Sequence, residues 1–226
     1  MSNEIARRIE EIKESFPADR EVALVAVSKF QPVEKIQAAY DGGQRLFGES
    51  RVQELSAKAP TLPPDIEWHF IGHLQTNKVS QLLKISNLGL IQSVDSFRLL
   101  DCLEKECVRR NRVIDILLEL HVAQEESKYG FLPSEVERWI SEGAYRSLRG
   151  LRIRGVMGMA SNTDDAARIV DDFREIAACF ERLKALAPDL TSFNILSMGM
   201  SDDYLMAIRE GSNLVRIGSS IFGERG

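Results

Sequence analysis

The sequence predicts an α/β protein folded as a single (β/α)8 TIM barrel with an extra helix at its amino terminus. Eight short strand-like segments alternate with helical segments along the whole chain, which is typical of a parallel sheet. The strand-like segments are mostly apolar runs, as expected of strands buried on both faces. The 226 residues show no break in composition, so we expect one domain over residues 1–226. An open doubly wound sheet is the alternative that the same alternation allows.

The predicted elements follow one another in regular order. A charged amphipathic helix within residues 1–16 comes first, and we expect it to cover the bottom or the flank of the barrel. The eight predicted strands are residues 23–28, 45–48, 67–71, 88–93, 113–122, 151–157, 193–197 and 213–217. The clearest helices between them are residues 97–110, 133–142, 165–187 and 202–210.

Start and stop signals support several of these helices. Ser96 is placed to cap the helix that begins at Phe97, because a serine hydroxyl accepts hydrogen bonds from first-turn amides. Pro133 suits the first turn of the next helix. Gly143 and Gly211 stand where two helices should end, since glycine readily adopts the backbone conformation that closes a helix.

Composition and charge exclude several classes of protein. A formal net charge of −5 and a pI near 5.4 argue against a nucleic-acid-binding domain, which is normally basic. No apolar run approaches the ~20 residues that span a bilayer, and residues 1–16 lack the apolar core of a secretory signal. Three cysteines without CxxC spacing predict reduced thiols. We therefore expect a cytoplasmic protein without a membrane or nucleic-acid partner.

Lys29 is the first residue that suggests chemistry. It follows the apolar run 23–28, at the end of the first predicted strand. Burial would remove water from its ammonium group and favour the neutral amine, which can attack an aldehyde and form a Schiff base. Taken alone, the run favours an ordinary strand-end lysine turned to solvent.

Two turns rich in glycine and serine instead favour a functional role for Lys29. They follow the seventh and eighth predicted strands, at residues 197–203 and 216–223. Each alone resembles a capped loop, with Ser201 or Asp202 as the cap, but the loops after these two strands form the recurrent phosphate site of the barrel. Together they predict a phosphate cradle. A lysine across the barrel mouth from it suits pyridoxal 5′-phosphate (PLP), which carries both an aldehyde and a phosphate.

Five segments of the chain resemble the pyridoxal-phosphate homeostasis protein family, also described as proline-synthetase co-transcribed homologues. They occur in the family's order and extend over nearly the whole chain. The segments are AVSKF (26–30), FGESRVQE (47–54), WHFIGHLQTNK (68–78), LSMGMSDDYLMAI (196–208) and GSNLVRIGSSIFGERG (211–226). The resemblance implies a fold-type III PLP-binding barrel like the N-terminal domain of alanine racemase.

The resemblance also implies roles for individual residues. Lys29 would form the Schiff base with PLP, and Arg216 would face the pyridine nitrogen. An arginine beside that nitrogen disfavours a second positive charge, which makes the ring a weaker electron sink. Other residues would contact the phosphate or line the same end of the site: Ser197, Gly218 and Ser219 as phosphate contacts, with Met200 and Ser201 beside them.

Two positions in the resemblance need separate comment. The family usually has Gly-Glu-Asn at the second strand, whereas this chain has Ser50 in place of the asparagine. Serine lacks the amide donor, so a cofactor contact at Ser50 is lost or bridged by water. Lys128 matches a second lysine often found in the family. It would pick up or hand on the cofactor, although a solvated loop lysine explains it more simply.

The histidines do not predict a metal site. His69 and His73 have the four-residue spacing of ligands on one helix face, but here they straddle a strand end and a glycine turn. His121 lies on a strand without a cysteine or carboxylate pattern around it. We therefore expect no bound metal.

The function implied by the resemblance is intracellular PLP homeostasis: a non-catalytic protein that holds PLP, buffers its level and supplies PLP-dependent apoenzymes. The racemase relatives carry a second domain that provides a catalytic tyrosine, whereas this sequence ends directly after the last predicted turn. We therefore expect an open site and a monomer. The alternatives are a PLP-dependent racemase or aldolase with Tyr129 or His121 as base, and a cofactor-free aldolase that uses Lys29 on a sugar phosphate.

Overall fold

A computed structural model of the protein describes residues 2–122 and 129–223. Eight parallel strands form a closed barrel in these residues, in the order of the sequence. The strands are β1 (Ala23–Val27), β2 (Leu46–Glu49), β3 (Glu67–Phe70), β4 (Leu88–Val94), β5 (Ile114–Leu120), β6 (Leu151–Gly158), β7 (Ile195–Ser197) and β8 (Leu214–Ile217). Because β8 pairs with β1 from Ala23↔Leu214 to Ala26↔Ile217, the barrel is confirmed and the open sheet is excluded.

Helices follow the strands and surround the barrel. Those in the described residues are α1 (Ser2–Glu14), α2 (Val33–Asp41), α3 (Val52–Lys58), α4 (Val79–Leu82), α5 (Phe97–Arg109), α6 (Pro133–Ser141), α7 (Ala166–Leu186), α8 (Tyr204–Arg209) and α9 (Ser219–Phe222). The Ser96 side chain accepts from the Leu99 amide, as its N-cap position predicts. Gly143 lies two residues after the end of α6 and has a φ of 71°, in the left-handed region that favours glycine.

The predicted helix 202–210 begins later than expected, at Tyr204. The Asp203 carboxylate accepts a hydrogen bond of 2.6 Å from the Met200 amide, and the Tyr204 amide donates to the Met200 carbonyl at 2.9 Å. This tight turn holds residues 200–203 as a loop. The loop therefore stays at the carboxyl end of the barrel instead of joining the helix.

Two layers of apolar side chains stabilise the fold. The larger layer lies between the strands and the surrounding helices and includes Trp68, Phe47 and Phe173, all fully buried. A smaller, separate cluster brings together side chains from five different strands and fills the barrel: Val25, Leu90, Leu117, Met157 and Leu214. Polar side chains occupy the barrel above this cluster, toward the carboxyl ends of the strands.

Helix α1 covers the flank of the barrel rather than its bottom. Its Ala6 side chain lies against Gly42, where an added Cβ would come within 2.6 Å of the Ala6 Cβ. On its other side, Arg8 donates to the Ile221 carbonyl of α9 at 3.3 Å. Glycine at position 42 thus allows α1 to pack closely against the end of α2. Among the residues that the structure describes, no helix is long and apolar enough to cross a membrane.

Candidate functional site

A cavity of about 260 Å³ opens at the carboxyl ends of the strands. The residues that line it lie near the carboxyl ends of β1 and β8 or in the segments that follow β1, β3, β6, β7 and β8, so that distant parts of the chain meet there. They are Val27, Lys29, Gln31, Ile71, Met159, Met200, Ser201, Asp202, Arg216, Gly218, Ser219 and Gly223. Six of the predicted site residues are therefore brought together: Lys29, Met200, Ser201, Arg216, Gly218 and Ser219.

Lys29 lines this cavity two residues after β1 and is half-buried. The residues on both sides of it are fixed by hydrogen bonds. The Ser28 hydroxyl donates to Glu49 Oε1 at 2.7 Å, and the Phe30 amide donates to Glu54 Oε1 at 2.6 Å. Phe30 has a φ of 64°, a conformation that non-glycine residues adopt only when their surroundings impose it.

A buried lysine joins these two carboxylates. Lys58 Nζ donates to Glu49 Oε1 at 2.8 Å, to Glu54 Oε1 at 2.5 Å and to the Ser28 carbonyl at 2.9 Å. Burial raises the pKa of Glu49, whereas the hydrogen bond from Lys58 lowers it. We call Glu49, Glu54 and Lys58 the acidic clamp. It holds the backbone before and after Lys29, which fixes where the lysine side chain enters the cavity.

Arg216 is the buried cation of the site. Its Nη1 donates to Ser197 at 3.0 Å (carbonyl) and 2.6 Å (hydroxyl), and its Nη2 donates to the Gly158 carbonyl at 3.1 Å. Burial lowers the pKa of Arg216 to about 10, while the negative charges of Glu119 and Asp203 raise it. Arg216 forms no ion pair with another described residue, so its charge faces the cavity without a carboxylate bound to it.

The two loops predicted to hold phosphate meet at the cavity. The Gly218 amide donates to the Ser201 hydroxyl at 3.3 Å, which joins the loop after β8 to the loop after β7. Ser219 begins α9, and first-turn amides have no acceptor within their own helix. At Gly218 an added Cβ would lie 3.2 Å from the Val27 carbonyl oxygen, so the backbone approaches β1 closely. This end of the cavity thus offers amide and hydroxyl donors.

Ser197 and Ser50 occupy different positions from the other predicted site residues. Ser197 is fully buried behind Arg216, and its hydroxyl donates to Gln92 Oε1 at 2.7 Å. Ser50 follows β2, where its carbonyl oxygen would lie 2.2 Å from a Cβ added at Gly72. Neither serine is among the residues that line the cavity.

The two histidines four residues apart do not converge. His69 is buried in the barrel, with Nε2 3.1 Å from Glu67 Oε1 and Nδ1 2.9 Å from Gln92 Nε2. His73 lies at the mouth, with Nδ1 2.7 Å from Asp95 Oδ2. In the described part of the chain, no group of three or more histidine, cysteine and acidic side chains is arranged to hold a metal ion.

The alternative catalytic residues lie at the barrel mouth but do not line the cavity. The Tyr129 ring stacks on His73 with 3.8 Å between ring centroids. His121 follows β5, and its amide donates to the Phe131 carbonyl at 2.9 Å. Lys128 lies outside the described residues.

Sequence reasoning missed several residues of the site. Gln31 and Met159 line the cavity, and Met159 was detectable because it lies two residues after the end of a predicted strand. Glu119, on β5, was missed as well. Its pKa is raised to about 7, mainly by burial and in addition by the charge of Asp95, while the charge of Arg216 opposes this rise. A carboxylic acid within a predicted apolar strand was the available signal.

Comparison with known proteins places this geometry in a family. The protein-family model of the alanine racemase N-terminal domain matches residues 2–226. The pyridoxal phosphate homeostasis protein of Schizosaccharomyces pombe is 36% identical over 206 residues, which cover 91% of this chain and 85% of that protein. The chain belongs to the pyridoxal phosphate homeostasis protein family. The human member is 39% identical over 89% of this chain and 76% of its own length.

Solved structures agree with this membership. PipY of Synechococcus elongatus, determined with PLP bound, superimposes with a TM-score of 0.86 at 33% identity, over 97% of this chain and 100% of PipY. Alanine racemase from Bartonella henselae gives a TM-score of 0.75 at 16% identity, over 99% of this chain and 59% of the racemase. The racemase shows the shared barrel fold alone. The resemblance read from the five sequence segments is confirmed.

Proposed function

We propose that this protein binds PLP in the cavity between Lys29 and the loops after β7 and β8, and that it buffers and supplies PLP in the cytoplasm. The observation that carries the proposal is PipY, which shares 33% identity over 97% of this chain and was determined with PLP bound. The cavity of this chain supports it, because a lysine, a buried arginine and a set of amide donors line one space.

The donors in the cavity fit the chemistry of PLP. Lys29 supplies the amine, which condenses with the aldehyde and releases one water molecule. Gly218, Ser219 and Ser201 supply amide and hydroxyl donors for the phosphate, with Met200 beside them. Ser197 acts behind this layer by holding Arg216, and Ser50 takes no direct part in binding.

The arginine supports a binding role over a catalytic one. PLP that carries an amino acid in place of the lysine would act as the stronger electron sink when its ring nitrogen is protonated. Arg216 is charged, and its guanidinium would face that nitrogen, so it disfavours the protonated ring. We therefore propose a non-catalytic carrier whose partners are PLP and PLP-dependent apoenzymes. Its monomeric state stays a prediction, which light scattering of the purified protein tests.

A spectroscopic titration tests the binding proposal. Purified protein titrated with PLP is expected to gain the visible absorbance of lysine-bound PLP at a ratio of one per chain. Lys29→Ala is expected to lose this absorbance, whereas Lys84→Ala, at an exposed lysine far from the cavity, retains it. A wild-type protein that stays colourless in excess PLP would contradict the proposal.

A further inference from the structure

A chain of buried hydrogen bonds leads from the amino-terminal end of the barrel to Arg216. It begins at Glu67, at the start of β3, whose side chain is 53% exposed. It then passes through His69 and Gln92 to Ser197, which contacts Arg216. The last four residues are each at most 4% exposed. Four successive contacts of 2.6–3.1 Å therefore connect a solvent-facing carboxylate to the cation of the site.

The chemistry of the two ends fixes the direction of every hydrogen bond. A guanidinium only donates, so the Ser197 hydroxyl accepts from Arg216 and gives its own proton to Gln92 Oε1. The Gln92 amide nitrogen then faces His69 Nδ1 and donates to it. His69 therefore carries its proton on Nε2, which donates to the Glu67 carboxylate. An ionised carboxylate only accepts, so the chain ends there.

Hydrogen bonds that run in the opposite direction, from Glu67 toward Arg216, do not satisfy the same contacts. If His69 carried its proton on Nδ1, its Nε2 lone pair would face the Glu67 carboxylate, and two acceptors would meet. Gln92 would then have to turn its carbonyl toward His69 and its amino group toward Ser197. Glu67 thus selects the tautomer of His69, and the tautomer selects the orientation of the Gln92 amide.

A glycine makes room for the first link. An added Cβ at Gly89 would lie 2.4 Å from Glu67 Cγ and 2.6 Å from its Oε1. Any side chain at position 89 would therefore displace the Glu67 carboxylate from its place beside His69. The link depends on an open position on the neighbouring strand as well as on its own polar atoms.

We propose that Glu67, His69, Gln92 and Ser197 form a polarised relay of positioning residues that orients Arg216 and tunes its effect on the ligand. The buried guanidinium has no ion pair among the described residues. In addition to the charges of Glu119 and Asp203, aligned dipoles that end in a distant carboxylate stabilise its charge. This role rests on the proposed function, since it concerns the ligand that Arg216 faces. It assigns a binding effect to Glu67, at the opposite end of the barrel.

The tautomer of His69 tests the relay without any ligand. In ¹⁵N-histidine-labelled wild-type protein without PLP, long-range ¹H–¹⁵N spectra above neutral pH should show His69 protonated on Nε2. The three histidines are assigned from the His69→Gln, His73→Gln and His121→Gln variants. A His69 ring protonated on Nδ1 would overturn the relay, whatever the protein binds.

Ligand measurements then test what the relay does. Glu67→Ala should weaken PLP binding about two- to tenfold, the effect of one lost hydrogen bond, and should shift the absorbance maximum of bound PLP. Glu67→Gln keeps an acceptor for His69 and should stay close to wild type. Gly89→Ala should resemble Glu67→Ala, since it displaces the same carboxylate.

Glu21→Ala is the matched control, because Glu21 is an exposed carboxylate that precedes β1 at the same end of the barrel. It should leave affinity and spectrum unchanged. If Glu67→Ala and Gly89→Ala both match wild type in affinity and absorbance, the relay has no role at the site. A wild-type protein that binds no PLP contradicts the proposed function instead, and the His69 tautomer still decides whether the relay exists.

Discussion

Lys58 Nζ lies 2.8 Å from Glu49 Oε1, and both side chains are almost fully buried directly behind the lysine of the site. Replacing Lys58 with methionine keeps the volume but leaves Glu49 as a buried charge without its partner. We expect Lys58→Met to lower the free energy of unfolding by about 3–5 kcal/mol, measured by urea denaturation. Lys84→Met, at an exposed lysine, is the matched control and should cost less than ~1 kcal/mol. Equal stabilities of the two variants would contradict the acidic clamp.

The hydroxyl of Ser197 is expected to matter for binding although it does not line the cavity. Ser197→Ala removes one of the three acceptors of Arg216 and the donor to Gln92, which should weaken PLP binding about tenfold and cost about 1–3 kcal/mol of stability. Ser192→Ala is the control, because it likewise removes a serine hydroxyl that donates one hydrogen bond, here to the Ile153 carbonyl, at a position before β7. It should lower stability without changing the affinity. Unchanged affinity in Ser197→Ala would mean that Arg216 holds its position without this serine.

The carboxyl group of Glu119 predicts a pH dependence of stability. Burial raises its pKa from 4.5 to about 7, so the folded protein retains a proton that the unfolded chain has lost between these values. The free energy of unfolding attributed to Glu119 therefore falls as the pH rises through this window and levels off above it.

Glu119→Gln removes this titration. The stability of the variant relative to wild type should rise by up to ~3 kcal/mol from the lower to the upper end of the window. Urea unfolding of both proteins at a series of pH values measures the difference. A difference that stays constant across the window would show that Glu119 titrates normally, despite Asp95 and Arg216 beside it.

Exchange at the α-carbon of amino acids separates a carrier from a racemase or aldolase. The PLP-loaded protein in deuterated water, with a panel of L- and D-amino acids, is expected to catalyse no exchange beyond that of free PLP. The reason is that Arg216 disfavours the protonated ring that stabilises a carbanion. Turnover at about 1 s⁻¹ or more would establish an enzyme, and Tyr129→Phe and His121→Gln would then identify its base.

The barrel and the part of the site at the strand ends could be predicted from the sequence, because single segments of the chain carry the pattern that indicates them. Lys29, Arg216 and Gly218 lie at the ends of strands whose apolar pattern is visible in single segments, and parallel strands end at the same edge of a barrel. The family resemblance implied the roles of Met200, Ser201 and Arg216. Placing these residues at the mouth of the barrel required only the order of the strands and loops.

The rest of the site depends on contacts between residues that are far apart in the chain, and the sequence of a single segment does not reveal such contacts. Ser197 and Gln92 are 105 residues apart in the chain, and their hydrogen bond exists only because the barrel closes. Lys58 is the last residue of an amphipathic helix, where a solvated lysine is the ordinary expectation, yet the fold buries it against Glu49. The family resemblance implied a phosphate contact for Ser197, whereas its hydrogen bond to Gln92 was not visible in any one segment.

The attachment of PLP to Lys29 is the central claim, and one measurement tests it most directly. Protein loaded with PLP is reduced with borohydride, digested and mapped by mass spectrometry. We predict one phosphopyridoxyl group per chain, on the peptide that carries Lys29. An adduct on a different lysine, or no adduct in wild-type protein that binds PLP, would contradict the account.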